Sequence, residues 1–192
     1  MVSHLAERYG TAAQAMLVAA GAAHDVVLRL EVPGDRATAD AIYKSTRLDE
    51  VMATGWPAVE QAAFLEQQAQ AQYSHYNQHY RPVSDFWFLE RANEVIGRLY
   101  LFPGHQDVRI VDIALLPLWR ARGIGGALIR AVTAIASAAG RTASIHVEFN
   151  NLARGLYQRL GFVTVEDHGP YSLMVFSPPG LAGHTSPDGD LR

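Results

Sequence analysis

The stretch Asp112-Ile113-Ala114-Leu115-Leu116-Pro117-Leu118-Trp119-Arg120-Ala121-Arg122-Gly123-Ile124-Gly125-Gly126-Ala127-Leu128-Ile129 decides how the rest of the chain is read. An apolar run from Ile110 to Leu116 has strand character and meets Pro117. A basic, glycine-rich turn follows, and then a helical segment with no further breaker until Gly140. A glycine-rich turn that opens a helix is an anion site. The first N–H groups of the helix have no carbonyl partner, and the helix dipole places partial positive charge there. Gly123, Gly125 and Gly126 carry no Cβ, so phosphate oxygens can reach the backbone. Arg120 and Arg122 add charge on the approach. The segment is therefore built to hold a phosphorylated ligand.

Two common phosphate motifs do not fit it. A dinucleotide fingerprint, G-x-G-x-x-G counted from Gly123, places Leu128 where the third glycine belongs. A P-loop needs a lysine after its last glycine, and the only lysine in the chain is Lys44. What remains is R-x-x-G-x-G at Arg120, Gly123 and Gly125, behind the strand I-A-L-L-P. A second motif lies downstream: Asn150 to Phe162 reads N-x-x-A-x-x-L-Y-x-x-L-G-F. In this order, with a strand-like run between them, the two motifs resemble the GNAT superfamily of N-acetyltransferases. The resemblance runs from Glu94 to Phe176, and more loosely from Val26.

That resemblance implies a fold and an activity. The fold is α/β (α+β): a mixed, mostly antiparallel twisted sheet of six to seven strands, splayed at an acetyl-CoA cleft and flanked by helices. The activity is acetyl transfer from acetyl-CoA to a primary amine, by direct attack in a ternary complex. Ile113, Ala114 and Leu115 would bind the pantetheine arm. The N–H groups of Ala121, Arg122, Gly123, Ile124, Gly125 and Gly126 would hold the pyrophosphate, with Arg120 adding charge beside them. Asn150 would anchor the pantetheine side, and Tyr157 would protonate the departing CoA thiolate. Gly161 reads as the C-terminal glycine of the helix and Phe162 as core. Relatives that carry an acid or histidine four or two residues before the I-A-L triplet have no counterpart here, because those positions are Arg109 and Val111. Asp112, by the period of two, falls on the opposite strand face from them. His146 and Glu148 share a parity on the next strand and are the better candidates for the general base, alone or through water; imidazole exchanges protons near neutrality. The alternatives are a CoA-binding sensor or regulatory module without turnover, or a longer acyl-CoA as donor.

Composition sets outer limits. The chain has 192 residues, 49% hydrophobic and 18% charged, with net charge −3, in keeping with one globular domain over residues 1–176. No basic run exists, so nucleic acid is not an expected partner. The chain has no cysteine, which excludes disulfides, thiolate nucleophiles and thiolate metal sites, and is compatible with a cytoplasmic location. No metal is expected. The partners expected are acetyl-CoA and an amine on a small molecule or a protein; a homodimer is left open.

The remaining elements follow from periodicity. Residues 1–23 are alanine-rich, with Glu7 beside Arg8 and Gln14 interrupting the apolar run; an additional N-terminal helix is preferred to a cleaved signal segment. The run is too short to span a bilayer, so no membrane partner is expected. Residues 25–32 alternate as a strand, with Asp35 as the N-cap of a helix over 36–53. Pro57 opens a polar helix over 58–80. His75 and His79 stand at i,i+4 there, but no third ligand is found at a recognisable spacing, and edge-packed side chains are expected. Strands at 85–90 and 95–102 form a hairpin, with Gly97 marking a bulge. Strands at 142–149, 162–166 and 171–176 complete the sheet, and 177–192 reads as a disordered tail. The acceptor would be recognised by the helices of residues 36–80 and the loop at 167–170, where Trp56, Tyr73, Tyr76 and Tyr80 are pocket candidates beside a mild excess of acids.

Overall fold

The computed structural model describes residues 3–181. Seven strands form one sheet, in the order β1-β2-β3-β4-β5-β7-β6. They are β1 Val27–Leu30, β2 Asp85–Arg91, β3 Glu94–Pro103, β4 Asp107–Leu115, β5 Thr142–Glu148, β6 Phe162–His168 and β7 Tyr171–Phe176. β4 and β5 run parallel and every other pair is antiparallel, as expected of a mixed, mostly antiparallel sheet. The parallel pair is joined by the crossover helix α5, Ile124–Ala138.

Helices cover both sheet faces. The N-terminal segment forms α1 His4–Tyr9 and α2 Thr11–Ala22, broken at Gly10, whose φ of 85° lies in the left-handed region. With α5 they bury the larger core, in which Leu5, Leu17, Ile124, Leu128, Val132 and Ile135 meet Trp87, Leu99, Leu101, Val108, Ile110 and Ile145. The other face carries α3 Arg36–Met52 and α4 Ala58–His79; Ala39 and Ile42 pack there on Phe88 and Ala114. A short helix, α6 Arg154–Arg159, precedes β6. Among the described residues no helix is long and apolar enough to cross a membrane.

Several elements depart from the sequence expectation for local reasons. Asp35 does not cap α3 with its side chain. Its carboxylate turns back to accept the Val32 N–H at 2.8 Å and to meet Arg29, which holds the carboxyl below its usual range. The helix read from Asn150 starts at Arg154, because Asn151 folds its side-chain oxygen onto the Ala153 N–H at 2.8 Å. The tail read over 177–192 opens with a turn from the Leu181 N–H to Pro178; positions 182–192 lie outside the described residues.

Two irregularities shape the middle of the sheet. Near Gly97, Leu89 pairs with Gly97 but Glu90 with Val95, so the extra residue is Ile96. Gly97 also lies tight against β4: a Cβ there would stand 2.3 Å from the Ala114 carbonyl oxygen and 2.8 Å from Leu115 Cδ2. On β4, Tyr100 pairs with Asp112 but Leu101 with Ile110, which leaves Val111 as the extra residue. Gly97→Ala is predicted to lower stability by about 2–3 kcal/mol, because the added methyl overpacks the β3–β4 seam. A urea midpoint unchanged from the parent would show that the seam yields.

Candidate active site

The bulge at Val111 decides which side chains face which way. Residues paired across antiparallel strands share a sheet face, so Asp112 and Ala114 lie with Tyr100 and Arg98 on the α3 side. Ile110 and Ile113 lie with Leu101 and Leu99 on the α5 side. Asp112 therefore shares the face of Arg109, which corrects the strict period of two; the extra residue reverses the alternation between them.

An internal ion pair holds this arrangement. Arg98 is 3% exposed and donates to the Asp112 carboxylate. It also donates to the Gln72 side-chain oxygen at 2.8 Å and the Ala39 carbonyl at 3.1 Å. Tyr100 beside it donates to Glu31, which accepts from Arg81. A guanidinium so far from water needs a counter-ion, and Asp112 reaches it only if the strand turns that residue toward α3.

Immediately beyond Ile110 the sheet opens. β4 and β5 pair from Asp107↔Thr142 to Ile110↔Ile145 and no further, although β4 continues to Leu115 and β5 to Glu148. The fork expected at Ile113, Ala114 and Leu115 is therefore present, and the strand edge facing β5 offers N–H and C=O groups to an extended ligand.

At the fork's end lies the glycine turn. Ala121 and Gly123 both have positive φ, 58° and 85°, and such alternation turns successive N–H groups to one side. α5 starts at Ile124 with no side-chain cap, so the donors of Ile124, Gly125 and Gly126 remain for an anion. A Cβ at Gly125 would meet only Leu115 Cδ1, at 3.9 Å. Such a cradle can hold an anion, a pyrophosphate among them. Arg120 and Arg122 are drawn partly aside, since their Nε groups donate to the Leu115 and Leu118 carbonyls, each at 2.9 Å. Arg120 further ties the Ser45 carbonyl of α3 to this turn.

Tyr157 sits on α6 beside the same turn. A Cβ at Gly126 would come 3.6 Å from Leu156 Cδ1, which packs α6 against the start of α5. Tyr157 is 3% exposed and its ring meets Phe162 edge-on at 5.9 Å. Burial, reinforced by the negative charge of Asp112, raises the phenol above its ordinary range, so it holds its proton at neutral pH. Asn150 is exposed in the turn after β5.

The other arm of the fork carries His146 and Glu148. His146 is exposed, its ring 6.2 Å from that of His168. Glu148 is gripped by Arg47 of α3, whose Nη1 lies 2.7 Å from one carboxylate oxygen while Nη2 takes the other. This contact, with a hydrogen bond from Tyr171, holds the Glu148 carboxyl below its usual range. The aromatic candidates of the acceptor region are spread out. Tyr73 lies under the Arg36 guanidinium at 3.6 Å, Tyr76 packs on Phe86 and Tyr100, and Trp56 meets Phe64 edge-on. The His75 and His79 rings are 4.6 Å apart, and among the described residues no group of three metal-ligating side chains exists. A cavity of about 730 Å³ among His4, Arg8, His105 and Arg141 lies at the opposite end of β4 and shares no residue with the fork.

Sequence reasoning missed Arg98, Arg47 and the Val111 bulge. The signal for the first was present: Arg98 and Asp112 are opposite charges inside two adjacent apolar strands. Arg47 carried no such signal, since its partner is 101 residues away.

Residues 82–164 match the family model described as an acetyltransferase (GNAT) domain. No curated protein sequence matches the chain. Among solved structures, it resembles the PaiA N-acetyltransferase from Thermoplasma acidophilum in complex with coenzyme A, with 15% identity, 79% of this chain and 98% of that one covered, and a TM-score of 0.58. An acetyltransferase from Thermus thermophilus is 19% identical, with coverage of 79% and 96% and a TM-score of 0.56. A GNAT family acetyltransferase from Elizabethkingia anophelis with acetyl-CoA bound is 15% identical, with coverage of 80% and 98% and a TM-score of 0.50. At these identities the likeness is one of fold.

Arg98→Met is predicted to cost about 3–5 kcal/mol, because Asp112 is left without its counter-ion. Adding Asp112→Leu restores much of that stability. Coenzyme A affinity in the double variant stays at least ~10-fold lower, since nothing then draws residue 112 toward α3. Chemical unfolding and calorimetric titration read the two effects; parental affinity in the double variant would separate the fork from the pair.

Proposed function

We propose, from the match of residues 82–164 to the acetyltransferase (GNAT) domain model, that this chain transfers the acetyl group of acetyl-CoA to a primary amine. One observation carries the reading: the sheet opens beyond Ile110 and Ile145, and a glycine-lined helix start without a side-chain cap packs there against the helix that carries the buried Tyr157. The backbone of Ile113–Leu115 holds the pantetheine arm and polarises the thioester carbonyl, while Ala121–Gly126 bind the pyrophosphate. Asn150 stands at the pantetheine side.

The amine attacks directly. A C–N bond forms as the C–S bond breaks, the nitrogen loses a proton, and the sulfur leaves with the electron pair. Tyr157 supplies the proton that sulfur takes up. His146, exposed on the open arm, accepts the amine proton itself or through water. Glu148 contributes a fixed negative charge, since Arg47 lowers its affinity for a proton. The chain has no cysteine, in keeping with a route that needs no thiol acyl-enzyme.

The reading is tested by incubating the protein with acetyl-CoA and a panel of primary amines while following free thiol. Amine-dependent thiol release supports the enzyme; tight binding of coenzyme A with no release from any amine supports a binding module instead. Tyr157→Phe is expected to lower kcat roughly 10²-fold or more with coenzyme A affinity nearly unchanged, and parental turnover would remove Tyr157 from the acid role. Gly125→Val is expected to leave the fold intact, because a Cβ there meets only Leu115 Cδ1, at an ordinary contact distance of 3.9 Å, and to abolish coenzyme A binding by filling the phosphate path. Retained affinity would move the pyrophosphate elsewhere.

A further inference from the structure

The two arms of the fork are bridged on the α3 side by one turn of helix. At Ser45 the backbone carbonyl is tied through Arg120 to the Leu115 carbonyl at the end of β4. Two residues on, Arg47 reaches the other arm and grips Glu148 at the end of β5 with both terminal nitrogens. Glu50 also accepts from Arg47, at 3.2 Å. Glu148 takes a further hydrogen bond from Tyr171. A carboxylate at the open end of the fork is thus furnished with aromatic and polar surroundings and filled by a cation of the protein's own.

An ion pair at such a place is unlike one in the core. Arg47 and Glu148 keep 28% and 20% of their side-chain surface exposed, so water reaches both and the contact can exchange. Anything entering on the α3 side of β5 meets this pair. An anionic acceptor would meet Glu148 unfavourably, and a neutral one would gain nothing by parting the pair. A cationic group can take the place of the Arg47 guanidinium, leaving Glu148 compensated and Arg47 to Glu50.

We propose that Glu148 seats a second positive charge on the acceptor and that Arg47 is its internal stand-in, so that the preferred acceptors are amines bearing a further cationic group. This rests on the acetyltransferase reading above. Arg47 is then a specificity residue that competes with the acceptor, and removing it favours the substrate.

Steady-state kinetics with 1,4-diaminobutane and with butylamine test this. The diamine is expected to be the better acceptor in kcat/KM by at least ~10-fold, with a KM that rises with salt. Glu148→Gln raises the KM for the diamine and shrinks the preference. Arg47→Met lowers that KM, and Arg47→Lys, which keeps the charge but loses the two-pronged contact, falls between Arg47→Met and the parent. A latch that only braces α3 would make both Glu148→Gln and Arg47→Met raise KM for both amines, and that result overturns the proposal. Equal use of the two amines by the parent overturns it while leaving the acetyltransferase reading in place. Thiol release with neither these nor any other amine removes that reading and the proposal with it.

Discussion

A guanidinium buried between a sheet and two helices must have a counter-charge, because the protein interior cannot solvate it as water does. Arg98 is in that position, and Asp112 answers it. With β4 in regular alternation Asp112 would face the apolar core beneath α5. The extra residue at Val111 turns it toward Arg98 and returns Ile113 to the apolar side. The bulge also increases local twist, and β5 leaves β4 directly before it. Ion pair, bulge and fork are thus linked: charge compensation goes with the register, and the register leaves free the strand edge to which the proposal assigns the donor.

The fork divides the labour of the site between backbone and side chain. On the β4 arm the groups the proposal assigns to the ligand are main-chain donors, which helix and strand fix without spending side-chain entropy. They suit a donor whose pyrophosphate and pantetheine are invariant parts. On the β5 arm the groups are His146, Glu148 and, from α3, Arg47, which are side chains on the surface of the opening. These are the groups by which an acceptor would be distinguished. Gly97 supports the division from behind, since its missing Cβ lets β3 lie against Ala114 and Leu115.

The legible part of the structure was what local chemistry dictates. The turn at Arg120–Gly126, the order of strands and helices and the hairpin at 91–93 follow from short-range pattern, and the structure contains them; the mixed sheet was implied by the resemblance, and the structure contains it too. The opening beyond Ile110 followed from resemblance rather than from spacing. What was not legible depends on contacts distant in sequence. Asp112 was placed by a strict period of two, which holds only for a strand without a bulge, and the partner that Asp112 meets because of the bulge lies on another strand. Glu148 reads as a free carboxylate until α3 brings Arg47 to it. Asp35 and Asn151 show the same limit at short range: the Asp35 carboxylate takes the Val32 N–H and leaves α3, which starts at Arg36 as read, without a side-chain cap, while Asn151 takes the Ala153 N–H and α6 starts only at Arg154.

Everything in the site turns on where the donor lies. Hydrogen exchange of the whole chain, followed peptide by peptide with and without coenzyme A, reads this directly. Protection is expected at Ile113–Leu115 and Ala121–Gly126, with a smaller effect on the peptide containing Tyr157, and none at the cavity near His105 and Arg141. Protection confined to that distal cavity, or coenzyme A binding that leaves residues 113–126 exchanging as before, would contradict it.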